Sequence, residues 1–116
     1  MRARATARGV GMSPRKMRLV IDEIRGKEVN EAYAILQFSK KAAADPIDKV
    51  LRSAVANAVY RADQDGEVLD VDELVVREAF VDEGRTLRRY RARAFGRATP
   101  ILRRSSHVTV VVDTKE

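Results

Sequence analysis

The chain reads as an α+β protein: three helices packed on a small antiparallel sheet of about three strands, with a long β-hairpin protruding from it. Three observations predict this. Apolar residues recur at helical spacing in three stretches between Ser13 and Ala62. From Leu69 the period changes to two, and it does so again over 107–112. Between those two β-prone runs lies GRTLRRYRARAFGRATPILRR, residues 84–104, with eight arginines, no lysine and no acid. Twenty-one residues are far too many for a tight hairpin turn, so the segment is expected to be the distal part of an extended arm. The 116 residues form a single domain on length alone.

Each element has its own signals. RARATAR alternates strictly, with Arg2, Arg4, Thr6 and Arg8 on one side and Ala3, Ala5 and Ala7 on the other. That is a strand with a small-residue inner face and a basic outer face; the alternative is a disordered basic tail. Gly9-Val10-Gly11 is read as a turn. A first helix follows, with Ser13 as N-cap, Pro14 in the first turn, and Gly26 stopping it after Arg25. Met17, Val20, Ile21 and Ile24 make its buried stripe. The second helix is expected to start at Asn30 as N-cap, with Ala32, Ile35, Leu36 and Tyr33 inward. Asp45 is expected to cap a third, with Pro46 at its first position. There Ile47, Val50, Leu51, Ala54, Val55, Ala58 and Val59 recur over more than three turns, which makes it the central core helix. Asp63-x-Asp65-Gly66 is turn chemistry and not a calcium loop, whose glycine stands at position six. In the first β-prone run Leu74, Val76 and Phe80 alternate with Val75, Arg77, Ala79 and Val81. In the second, Val108, Val110 and Val112 alternate with His107, Thr109 and Val111.

Charge is segregated more sharply than the net +6 suggests. Residues 1–20 carry six basic groups and no acid, residues 21–83 eight basic and fifteen acidic groups, and residues 84–104 eight arginines and no acid. Two all-basic blocks around an acidic middle are the footprint of a polyanionic partner. Arg15, Lys16 and Arg18 fit the same reading, because cations at a helix start oppose its dipole; the alternative is ordinary solvated charge. There is no cysteine, which excludes disulfides and Cys-based zinc sites and favours an intracellular location. No apolar run approaches the ~20 residues of a membrane span, and the basic N-terminus lacks the apolar core of a secretory signal.

The arm uses arginine alone, the side chain that binds phosphate bidentately and stacks on bases. Tyr90 and Phe95 offer stacking surfaces between the arginines, although Tyr90 also suits cross-strand packing. Each limb could reach ~40 Å past the packed base at about 3.3 Å per residue. A long thin arm suits folded RNA better than a regular duplex. Catalysis has no constellation to rest on. His107 is the sole histidine and has no positioned acid, while the adjacent Asp82 and Glu83 would point to opposite strand faces.

SPRKMRLVIDEIRGK (13–27), KVLRSAVANAVYRA (49–62) and FVDEGRTLRRYRARAFGRATPILRRSSHVTVVV (80–112) together resemble the ribosomal protein twenty-two family of the large subunit, in its bacterial form. Arg93, Ala94, Gly96, Arg97 and His107 stand at the family's spacing. The resemblance implies a structural, non-enzymatic protein of the cytoplasmic ribosome that takes part in early subunit assembly. Its body would bind large-subunit rRNA near the outer end of the peptide exit tunnel. Its hairpin would line that tunnel close to the macrolide site. The resemblance carries Arg88, Arg89, Arg93, Gly96 and Arg97 over as rRNA or tunnel-wall contacts and matches Arg15, Lys16 and Arg18 to the basic start of the family's first helix; the charge pattern adds Arg2, Arg4, Arg8, Arg85, Arg103 and Arg104 as rRNA contacts. Tyr90, Arg91, Ala92, Arg93, Ala94, Phe95 and Gly96 form the tunnel-facing tip. The implied partners are large-subunit rRNA, neighbouring ribosomal proteins and the nascent polypeptide, with no membrane, cofactor, metal or stable homo-oligomer. Ala92 stands where relatives often have proline, Phe95 where a basic residue is frequent, and Tyr90 and Arg91 where aliphatic residues are usual. From sequence physics alone, a free-standing RNA chaperone or regulatory nucleic-acid binder is the competing reading.

Overall fold

The computed structural model describes residues 2–92, 96 and 98–115. Eight main elements follow one another: β1 (Ala3–Val10), α1 (Pro14–Ile24), α2 (Val29–Phe38), α3 (Ala44–Asp65), β2 (Leu74–Glu83), β3 (Leu87–Ala92), β4 (Ala98–Arg103) and β5 (Ser106–Thr114). One short 3₁₀ turn, Val71–Glu73, leads into β2. The body is a three-stranded antiparallel sheet in the order β1-β5-β2, packed against the three helices. β3 and β4 pair separately as a two-stranded sheet, the arm. The molecule measures 67 × 27 × 18 Å, with a radius of gyration of 17.7 Å. A compact chain of this length would have a radius near 13 Å, so the arm does protrude.

The apolar stripes read from the sequence become the core. Met17, Val20, Ile21 and Ile24 of α1 and Ile47, Leu51, Ala54 and Ala58 of α3 are all fully buried. They meet Val108, Val110 and Val112 from the central strand β5. Ala3, Ala5 and Ala7 turn inward from β1, whose small inner face lets α3 approach closely. Ser106 and Thr109 are the polar groups buried among the described residues, and both are satisfied. The Ser106 hydroxyl donates to the Met12 carbonyl at 2.6 Å, and the Thr109 and Thr6 hydroxyls share a hydrogen bond.

Four expectations need correcting. α2 begins two residues earlier than expected, at Val29 with Glu28 as its cap, and the Asn30 amide is instead engaged by Asp72 Oδ1 at 2.7 Å. α3 is capped by Ala43, continuing the preceding turn; Asp45 and Pro46 fall inside its first turn, where no proline N–H is missed. Gly9 is not in a turn after the strand but inside β1. The register steps from Ala7↔Val108 to Val10↔Ser106 there, and φ is +67°. Finally, β2 has a bulge at Arg77, where pairing passes from Val76↔Val112 to Glu78↔Val111. One extra residue reverses the inward parity. Leu74 and Val76 are inward before the bulge, Ala79 and Val81 after it, and Phe80 is left 40% exposed.

Both sheet edges are closed by side chains. On β1, the Asn57 amide donates to the Arg4 carbonyl (2.9 Å) and Arg61 to the Arg2 carbonyl (2.7 Å), both from α3. On β2, the chain after α1 pairs with Val76 through Gly26 and Lys27. Beyond it, Arg25 donates twice to the Ala79 carbonyl and Arg18 twice to the Val81 carbonyl. Unpaired edge carbonyls are templates for unwanted strand addition, and these guanidinium groups occupy them.

Candidate nucleic-acid interface

The arm starts where the body sheet stops. Glu83↔Ser106 is the last pair of the β2–β5 ladder, and the Gly84 amide donates to the Ser105 carbonyl at 2.9 Å beyond it. Pairing resumes with Leu87↔Arg103 and continues to Ala92↔Ala98. A larger residue at Gly84 would displace the Ser105 hydroxyl from the Arg85 carbonyl. A Cβ there would sit 2.6 Å from Ser105 Oγ and 3.2 Å from His107 Cε1. His107, on β5, accepts a hydrogen bond from the Gly9 amide at Nδ1 (3.0 Å), so the sole histidine pins the β1 bulge beside the arm's root.

Along the arm, Leu87 and Arg89 alternate with Arg88 and Tyr90, and β4 returns Pro100, Ile101, Leu102 and Arg103 opposite them. Leu87, Arg88, Arg89, Tyr90, Leu102 and Arg103 are all exposed. Tyr90 stands across from Pro100 yet stays 69% exposed, so cross-strand packing does not consume its ring. Of the expected tip, Tyr90, Arg91, Ala92 and Gly96 belong to the described residues, and Gly96 is exposed with φ +70°. Arg93, Ala94, Phe95 and Arg97 lie outside the described residues.

The arm's root and the start of α1 enclose an open groove of about 1160 Å³. Lys16, Lys41, Arg85, Arg89, Arg103 and Arg104 line it, and no described acid does. The fold therefore brings Lys16 of the first basic block together with four arginines of the second, and adds Lys41 from the α2–α3 connection. Lys41 went unnoticed in the sequence because the Lys40-Lys41 pair sits inside the net-acidic middle. Arg104 also reaches Glu83 at 3.2 Å.

The remaining basic residues do not form one continuous face. β1 carries Arg8 to the arm end of the sheet, while Arg2 lies at the other end, on the order of 20 Å away at about 3.3 Å per residue. Arg2 pairs with Glu78 at 2.7 Å, and Arg4 lines a small hollow with Asn57, Tyr60 and Arg61. Arg15 is exposed in the first turn of α1, where Ser13 makes no side-chain cap. Arg18, expected as a phosphate contact, is the arginine bound to the Val81 carbonyl. On the far side of the body, Arg52 stacks over the Tyr33 ring at 5.1 Å and is held by Asp48. Burial there pushes the Tyr33 phenol above its usual range.

The sequence profile described as "Ribosomal protein L22p/L17e" matches residues 5–113. The chain belongs to that family. Proteins named "Large ribosomal subunit protein uL22" from Bifidobacterium longum strain DJO10A and Bifidobacterium longum subsp. infantis are each 53% identical over 116 residues. The match covers 100% of this chain and 98% of each relative. The family is structural and non-enzymatic, and its place is on the ribosome in the cytoplasm. No described helix is long and apolar enough to cross a membrane, and no described cluster of His, Cys, Asp and Glu could hold a metal ion.

Proposed function

We propose that this chain, a structural constituent of the large ribosomal subunit, binds large-subunit rRNA through its arm and the groove at the arm's root. It assists early assembly of the subunit, and its arm tip lines the peptide exit tunnel near the macrolide site, against the nascent polypeptide. The body rests beside neighbouring ribosomal proteins. The observation that carries the reading is the groove: cations from both basic blocks and Lys41 converge on it, and none of its described lining residues is acidic. A concave, one-signed surface of this kind concentrates a polyanion and neutralises its phosphates. The arm adds reach, since it extends exposed arginine past a body that needs none of it for packing.

The test is fractionation. The protein should remain in stoichiometric amount with large subunits pelleted through a high-salt wash. Recovery mostly in the free fraction would favour a free-standing RNA chaperone instead.

A further inference from the structure

The groove holds something that phosphate binding alone does not require. Alongside its cations it is lined by Met12, Leu19 and Leu87, and by Leu102, whose pairing opposite Arg88 sets its side chain on the other face of the ribbon from Leu87. Two of these leave large apolar surfaces open on one side: Leu19 is 56% exposed and Leu87 43%. They come from separate elements, α1 and β3, yet line one hollow. Aliphatic surface gathered in that way marks a contact site rather than scattered surface leucine.

An A-form duplex offers a protein its phosphates and ribose hydroxyls and keeps its base faces stacked inside. It can satisfy the rim but has nothing to lay on the leucines. An unpaired nucleotide has both parts: a flat apolar base face and phosphates on either side of it.

We propose that the groove receives an unpaired nucleotide of RNA, its base laid on Leu19 and Leu87 and its flanking phosphates held by Lys16, Lys41, Arg85 and Arg103. The proposal rests on the rRNA-binding reading and adds which form of RNA the groove selects. Arg104, already paired with Glu83, steadies the rim.

The experiment uses the full chain and two probes, a single-stranded oligouridylate of about ten nucleotides and an RNA duplex of the same length. The single strand should bind more tightly. A Leu19→Ser/Leu87→Ser double variant should weaken single-strand binding about 5-fold, from partial loss of leucine burial, while duplex affinity and the unfolding midpoint stay put. Photo-crosslinking of a 4-thiouridine-substituted strand should label peptides containing Leu19 and Leu87, a readout independent of the variant's folding. Equal binding of the two probes, an unchanged single-strand affinity in the variant, or crosslinks confined to other surfaces would each overturn the proposal. Those failures are separable from failure of the parent reading, because pelleting of the wild type with large subunits does not depend on them. Wild-type protein that binds neither probe and does not pellet overturns both.

Discussion

The body and the arm are both built on antiparallel β-pairing, yet among the described residues only the body's are fully buried. β2 and β5 pair over Leu74↔Thr114 to Glu83↔Ser106 and set Leu74, Val76, Val108, Val110 and Val112 into a helix-covered core. β3 and β4 pair over Leu87↔Arg103 to Ala92↔Ala98 and bury no described residue. An isolated two-stranded ribbon is at best marginally stable in water. The body therefore owes its order to its own apolar surface, whereas the arm's order depends on what surrounds it. In the arm, arginine replaces the leucine and valine that a self-sufficient hairpin would need. The exchange gives up intrinsic stability and gains affinity for a polyanion.

Deleting residues 86–99 tests that division most severely. It removes Arg88, Arg89, Arg91, Arg93 and Arg97. At about 0.7 counterions per phosphate contact on single strands, the slope of log affinity against log salt should fall by about three. Thermal unfolding of the remaining body should stay cooperative, because the ladder that closes it ends at Glu83↔Ser106. A lost cooperative transition would show that the arm is part of the fold; an unchanged salt slope would show that its arginines do not meet phosphate.

The converse perturbation is Leu51→Ala. Leu51 is fully buried in α3, and truncating a core leucine to alanine costs about 3 kcal/mol. Chemical denaturation should show that loss, with the salt slope of RNA binding unchanged for the fraction still folded. Near-wild-type stability would mean that α3 is not the centre of the core.

What the sequence made legible follows the same divide. The stripes of α1 and α3 depend on local periodicity, and their fully buried residues are the ones that periodicity selects. The arm's limits were equally plain, since acids vanish at Gly84 and valine returns at Val108. The features decided by residues far apart were not readable. The bulge at Arg77 exists through pairing with β5, and it sends Phe80 outward against simple alternation. The Asn30 amide, expected at the cap of α2, is engaged instead by Asp72, forty-two positions away. The groove needs α1, the α2–α3 connection and the arm's root to come together, so no single stretch announces it. Its cations were visible in advance, except Lys41, but their convergence was not.

Arg18 and Lys16 reduce the comparison to a single helix turn. Both carry positive charge near the start of α1, and the sequence treats them alike. In the structure Arg18 directs its guanidinium to the Val81 carbonyl, with Nη2 at 2.9 Å, while Lys16 lines the groove. Arg18→Met should therefore lose about 1 kcal/mol of stability, the net worth of an intramolecular hydrogen bond at a partly buried carbonyl, and leave the salt slope unchanged. Lys16→Gln should do the reverse, keeping the unfolding midpoint and reducing the slope by about 0.7. If both substitutions reduce the slope equally, Arg18 releases Val81 when RNA arrives. The guanidinium groups along β2 would then belong to the interface rather than to the closed edge of the body.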